Sequence, residues 1–182
     1  KSEFHYPYPN NGNIRLNKKY KGGVFFDSFG YPLNASILYM KNPISIKSKS
    51  VIDSNLKIDT NFSSLYEYKN GSKAVLSVKF SNNYRSNYTV YNNKKTLKCN
   101  RAFSVNIDHE PKIILANKFT QKRKIIKTNY DDQFKKMINF YSNLILQKNE
   151  KKYLINIKKS LNFYFLYEKS YDSAIYNKKL LV

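Results

Sequence analysis

Lys69-Asn70-Gly71-Ser72 runs directly into Ala74-Val75-Leu76-Ser77-Val78-Lys79-Phe80, and this stretch decides how the fold is read. Asn-Gly between apolar runs is the favoured signal for a two-residue hairpin, because both residues accept positive φ. The segment that follows it is short, apolar and partly β-branched, as a strand requires. Upstream, Leu65, Tyr66 and Tyr68 are aromatic-rich, Leu56 and Ile58 alternate with polar residues, and so do Ile44, Ile46 and Val51. Downstream, Asn92-Asn93 predicts a second hairpin joining Tyr88–Tyr91 to Thr96–Ile107. There Leu97, Cys99, Arg101, Phe103, Val105 and Ile107 share one face of the expected strand. An arginine within that face implies a sheet edge or an acidic partner such as phosphate. Ile113–Ala116 predicts one more short strand.

The hydrophobic period then changes. Thr128 and Asp131 form an S/T-x-x-D capping box, and Phe134, Met137, Ile138, Tyr141, Leu144 and Ile145 recur at helical spacing. Lys148, Lys151 and Lys152 fall where a helix dipole favours cations. Beyond it, Tyr153–Glu168 reads as a helix breaking into a strand over the aromatic run Asn162–Tyr167. Residues 1–23, with Pro7, Pro9, Gly12 and Gly22-Gly23, show no persistent period and read as an extended basic arm. The fold class expected is therefore α+β: a mostly antiparallel β-sheet over about 24–116, then an amphipathic helix over about 129–148. The domain organisation expected is an arm (1–23), a single domain (24–170) and a C-terminal tail (171–182).

Charge dominates the composition. Lys+Arg number 33 against 12 Asp+Glu, a formal net charge of +21. A compact domain so charged repels itself, and a polyanion is the natural counterweight. Lys, Asn, Tyr, Ile and Phe are abundant while Ala, Gly and Pro are scarce, a pattern of AT-rich codons. Glu shares that codon bias and is nevertheless rare, which favours a functional reason for the basic excess. Aromatic residues make up 16% of the chain, too many for a disordered one.

The basic clusters suggest phosphate contacts. Arg15, Lys18, Lys19 and Lys21 lie in the arm, with Tyr20 available to stack on a base. Lys94 and Lys95 sit at a hairpin tip, followed by Lys98 and Arg101. Lys118, Lys122, Arg123, Lys124 and Lys127 precede the expected helix start, where free N–H groups would add to the cations. Signs of catalysis are sparse. Asp108-His109-Glu110 alternates faces if extended and is read as a turn before Pro111, and Cys99 as a small buried hydrophobe. Gly22-Gly23 enters what looks like a strand and is no phosphate cradle; Walker and dinucleotide fingerprints are absent. One cysteine excludes an intrachain disulfide, the Asn-x-Ser/Thr tripeptides are attributed to composition, and no apolar run approaches the ~20 residues of a membrane span.

These readings lead to a non-enzymatic structural component of an organellar ribosome, in the mitochondrial matrix or another AT-rich organelle. It would bind ribosomal RNA and neighbouring proteins through Lys-rich loops, with no cofactor, metal or small-molecule substrate. The alternatives are an accessory subunit of a mitochondrial respiratory or ATP synthase complex, and a viral structural protein.

Overall fold

A computed structural model describes residues 1–182. Its centre is the short strand β1 (Ser2–Tyr6), which lies inside the segment expected to be an arm. β1 is inserted between β4 (Lys73–Phe80), to which it runs parallel, and β5 (Arg85–Tyr91), to which it runs antiparallel. The remaining strands are β2 (Ser45–Ile52), β3 (Asp59–Glu67), β6 (Lys95–Asn100), β7 (Lys112–Asn117), β8 (Arg123–Lys127) and β9 (Leu180–Leu181). They complete a nine-stranded mixed sheet of order β8-β7-β6-β5-β1-β4-β3-β2-β9.

This architecture corrects the expected fold class on several points. The sheet is mixed, begins at residue 2 and continues to β8 and β9, well beyond residue 116. Val24–Tyr39, expected to open the sheet, is helical: α1 (Val24–Ser28) leads into α2 (Gly30–Tyr39). The buried positions 24, 25, 28, 29, 32, 33 and 36 trace one helical stripe, which the aromatic pair Phe25-Phe26 disguises as strand chemistry. α3 (Gln133–Leu146) is capped by Asp132, whose carboxylate accepts from the Lys135 N–H, and not by Thr128. Thr128 instead bonds the Pro111 carbonyl at the end of the β7–β8 pair. Finally, α4 (Glu150–Ile175) is continuous through the aromatic run that was expected to become a strand.

Both asparagine turns exist with their own geometry. The Asn-Gly hairpin closes through Tyr68 and Ser72 around three residues, and only Gly71 takes positive φ (78°). The Asn92 side chain accepts from the N–H groups of Lys94 and Lys95 and so folds the second turn. β6 stops at Asn100 because Arg101 (φ 46°) and Ser104 (φ 50°) are left-handed, so the predicted strand to Ile107 does not form.

One face of the sheet carries the core. Phe25 packs 4.6 Å from Phe62 and 4.4 Å from Tyr167, and Phe29 lies 4.8 Å from Phe62. These aromatics join α1, β3 and α4 into one cluster, each buried ring contributing on the order of 2 kcal/mol through area removed from water. Small residues let α4 approach closely. Ser170 hydrogen-bonds the Tyr66 hydroxyl (2.5 Å), and Ser173 accepts from the Ser48 N–H (2.9 Å). α3 adds little to this core, with Leu144 its one buried residue and Phe134, Met137, Ile138 and Ile145 exposed.

The opposite face of the sheet is polar, yet at its centre Glu3 and His5 are buried between the flanking strands. His5 Nε2 meets Ser77 Oγ at 2.8 Å and its Nδ1 has no partner. Burial, aided by the Lys79, Arg85 and Lys1 charges and opposed by Glu3, pushes the His5 imidazole down to about 4. Burial raises Glu3, but its hydrogen bond to Lys1 and the charges of Lys1 and Arg85 outweigh that and hold it below its ordinary value.

Two expectations follow from this frame. Gly23 has φ 111° and a Cβ there would overlap the Asp59 carboxylate, while Gly71 has open space around it. Gly23→Ala should therefore cost roughly 3 kcal/mol or more in urea unfolding and Gly71→Ala about 1. Equal losses at the two sites would show that the Asp59 contact is not limiting. For His5, the unfolded chain takes up a proton near the ordinary imidazole value of 6.5 before the folded one does. Stability should thus fall as pH drops from 6.5 towards 4 and stop responding to this group below that. Proton NMR of a His109→Gln variant checks it through the single remaining imidazole.

Candidate active-site cleft

A cleft of about 460 Å³ opens at the C-terminal end of β1. Its position follows from the chain's course: β1 ends at Tyr6, an Asn-rich segment loops away, and α1 and α2 return against the same strand end. Asn13 caps a 3-10 turn (Ile14–Leu16) by accepting from the Arg15 N–H (3.0 Å). The Gly23 N–H then donates to the Arg15 carbonyl (2.8 Å). A Cβ at Gly22 would strike that same carbonyl, so glycine is what lets the turn lie against the start of α1.

The consequence is a three-way polar junction. Tyr6 donates its hydroxyl to Asp27 Oδ2 (2.7 Å), and Arg15 Nε contacts the same oxygen at 2.8 Å. Ser28 donates to the Tyr6 oxygen at a longer 3.4 Å. Burial, together with the Asp27 carboxylate, pushes the Tyr6 phenol well above its ordinary value, so it stays protonated. The Asp27 hydrogen bond likewise holds the Arg15 guanidinium above its usual range. Asp27 is thus neutralised by a cation while Tyr6 remains a fixed donor.

Tyr31, one helical turn after Asp27, supplies a hydroxyl that no protein group holds. Its ring is fixed against Phe4 (5.0 Å between centroids) and Phe103 (5.8 Å). It is 40% exposed and lines the cleft, as do Tyr8 and Tyr84. Aromatic walls beside a carboxylate–guanidinium pair and asparagine amides suit a ligand with apolar faces and many hydroxyls.

Of the cations singled out in the sequence, Arg15 alone lines this cleft. Lys18 and Lys19 lie on a second 3-10 turn (Lys18–Tyr20), and Lys21 sits 5.4 Å from the Phe26 ring. Lys94 is in the β5–β6 turn, Lys95 and Lys98 are on β6, and Arg101 lies 6.0 Å over Tyr84. Lys118 and Lys122 belong to the β7–β8 turn, whereas Arg123, Lys124 and Lys127 form part of β8. No helix starts beside them. Asp108-His109-Glu110 lies in a turn closed by the His109 N–H to the Asn106 carbonyl (3.1 Å). Cys99 is buried, and burial raises its thiol. Tyr6, Asp27 and Tyr31 escaped the sequence reading; the i, i+4 spacing of Asp27 and Tyr31 is the signal that could have found the latter two.

The family description "GFO/IDH/MocA C-terminal domain" matches residues 1–98, more than half of the chain. The chain belongs to the GFO/IDH/MocA C-terminal domain family. Among solved structures, KijD10, a 3-ketoreductase from Actinomadura kijaniata in complex with NADP and TDP-benzene, has a TM-score of 0.74 at 20% identity. That likeness covers 80% of this chain and 45% of the ketoreductase. Aldose-aldose oxidoreductase from Caulobacter crescentus, complexed with glycerol, has a TM-score of 0.76 at 16% identity, over 100% of this chain and 54% of its own. The chain spans about half the length of the solved structures it matches. No curated protein matches it in sequence.

Family membership overturns the ribosomal reading and its two alternatives. The expectations of no enzyme, no small-molecule substrate and an rRNA partner fall with it, since the structural neighbours are oxidoreductases bound to small molecules. The physical reason is that net charge is a bulk property. The lysines sit on separate turns and strands, and even where the β5–β6 turn meets the β7–β8 pair, at Lys94 and Lys118, their number alone does not identify a partner.

NADP, named for the ketoreductase, needs backbone N–H groups and space for a diphosphate. Here the single glycine pair, Gly22-Gly23, is already filled by the Arg15 carbonyl and the Asp59 side chain. Asp59 Oδ2 accepts from the Phe25 N–H (2.7 Å) and so occupies the anion position at the start of α1. These residues do not fit a dinucleotide diphosphate.

The junction itself is open to test. Asp27→Asn removes the anion that Arg15 and Tyr6 share, and should cost about 1 kcal/mol after allowance for the partial exposure of the pair. Arg15→Gln should cost less, because Tyr6 keeps its charged acceptor. Urea unfolding at neutral pH measures both, and the reverse order would contradict the central role of Asp27.

Proposed function

We propose that this chain is the substrate-facing domain of a nicotinamide-dependent oxidoreductase acting on a polyhydroxylated carbonyl compound or the matching alcohol, of the sugar class. The observation that carries the reading is the cleft at the end of β1, where the free Tyr31 hydroxyl stands beside the Tyr6–Asp27–Arg15 junction. The names of the structural neighbours, a 3-ketoreductase and an aldose-aldose oxidoreductase, support the same substrate class. The nicotinamide would supply or accept hydride, and its diphosphate would be held by residues outside this sequence.

The chain's own contribution is binding and proton handling. Tyr8 and Tyr84 offer rings to the apolar face of a sugar, while Asn10 and Asn13 offer amides to its hydroxyls. Arg15, already committed to Asp27, keeps further N–H donors for a substrate oxygen. Tyr31 Oη is the group placed to give a proton to, or take one from, the oxygen whose carbon changes oxidation state. Tyr6 acts through Asp27 and is a positioning residue.

The test is oxidation of NADPH by the protein isolated from its natural source, with keto-sugars and aldoses as acceptors. Tyr31→Phe should lower kcat by roughly a hundredfold, within the usual range for loss of a general acid, with KM little changed. Arg15→Gln should act mainly on KM. Full turnover by Tyr31→Phe, or no activity with any hydroxylated carbonyl compound, would refute the reading.

A further inference from the structure

The geometry points to a second ligand site, for a small uncharged amphiphile, between the C-terminal half of α2 and strands β1, β4 and β5. It is a cleft of about 500 Å³ that shares no lining residue with the Tyr31 cleft. The two lie at opposite ends of β1 and α2, so this site is independent of the proposed oxidoreductase chemistry.

Three observations define the ligand. First, the floor is apolar: Ala35, Met40, Leu76 and Val90 face the space, which has room for one or two fused rings. Second, an unmet polar atom lies in that floor. Ser2 is 3% exposed, and its Oγ has no hydrogen-bond partner. In register Ser2 stands opposite Leu76 on β4 and Tyr88 on β5, both lining residues, so its side chain projects to the cleft side of the sheet. A buried hydroxyl without a partner is disfavoured, and a ligand oxygen here would satisfy it. Tyr39 offers a second contact, since its hydroxyl donates to Tyr88 (3.0 Å) and its oxygen is left free to accept.

Third, the cations at the rim are already paired. Lys1 Nζ lies 3.0 Å from Glu3 and Lys73 Nζ lies 3.1 Å from Glu67, while the Lys1 main-chain nitrogen donates to the Thr89 carbonyl at 2.8 Å. No carboxylate lines the cleft. A charged ligand would lose its hydration against a floor whose polar groups, Ser2 and Tyr39, carry no charge. An aromatic or short aliphatic body bearing one hydroxyl or carbonyl fits instead, with its oxygen towards Ser2.

The probe is 1-naphthol, with 1-naphthoate as its charged counterpart, titrated into the isotope-labelled protein and followed by amide NMR shifts. 1-Naphthol should give saturable shifts at Ala35, Ser36, Ala74 and Thr89, and 1-naphthoate should bind about tenfold more weakly. Ser2→Ala should weaken 1-naphthol by about tenfold while leaving the thermal midpoint unchanged or raised, because the removed hydroxyl had no partner in the free protein. Ala35→Phe, which fills the space, should abolish binding. The inference fails if saturable shifts are absent at these amides, or if they follow the exposed apolar face of α3 instead. It fails equally if naphthoate binds as well as naphthol, or if Ser2→Ala binds like the parent.

Discussion

The parallel pairing of β1 with β4 is the contact on which the rest of the structure depends. A five-residue strand at the centre of a nine-stranded sheet can be held there only by neighbours on both sides. β4 and β5 provide them, and β1 in turn joins the β2–β4 half of the sheet to the β5–β8 half. Parallel pairing also demands a crossover, and α1 and α2 begin the connection that carries the chain over one face of the sheet. The helices are therefore brought to the end of β1 by topology, and the cleft forms where strand end and helix meet.

The same contact accounts for the site's chemistry. Tyr6 is the last residue of β1, Asp27 lies on α1, and Arg15 sits on the turn between them. Three segments of no special character acquire a shared carboxylate oxygen only because β1 is fixed in the sheet. Gly22 and Gly23 are needed for a related reason. The space their side chains would take is filled by the Arg15 carbonyl and by Asp59. The glycine pair thus packs a turn against a helix and leaves no room for a nucleotide.

How much of this was legible in the sequence depends on the range of each interaction. Turns written in local chemistry were readable: Asn70-Gly71 and Asn92-Asn93 mark chain reversals, although Asn70 lacks the positive φ that a two-residue turn would require. Strand or helix identity in aromatic runs was not readable. Phe25-Phe26 and Asn162–Tyr167 carry rings that suit either, and burial against Phe62 and Tyr66 decides for helix. Nor could β1 be recognised from within. Ser2-Glu3-Phe4-His5-Tyr6 has too little apolar content to announce a central strand, and its identity comes from partners more than seventy residues away. The candidate site was illegible for the same reason, because Tyr6, Asp27 and Tyr31 converge only once β1 is inserted. Arg15 was noticed for its charge, which the structure shows to be spent on Asp27.

The high positive charge then calls for a different interpretation. Of the twelve carboxylates, several are drawn into defined pairs at positions that matter to the fold: Glu3 with Lys1 and Arg85, Asp27 with Arg15, and Glu67 with Lys73 and Lys179. Glu67 is held down to about 2 by its lysine and serine partners, so it stays ionised across the working pH range. The scarce anions sit where strands and turns must be joined, and the surplus lysines lie mainly on exposed strands, turns and helix faces. A residue type whose codons are AT-rich can accumulate there at little cost, since isolated surface charges contribute little to stability. In this chain the informative charges are the negative ones. Glu3, Asp27 and Glu67 each hold a cation where strands and turns meet, and of these three Asp27 lines the cleft at the end of β1.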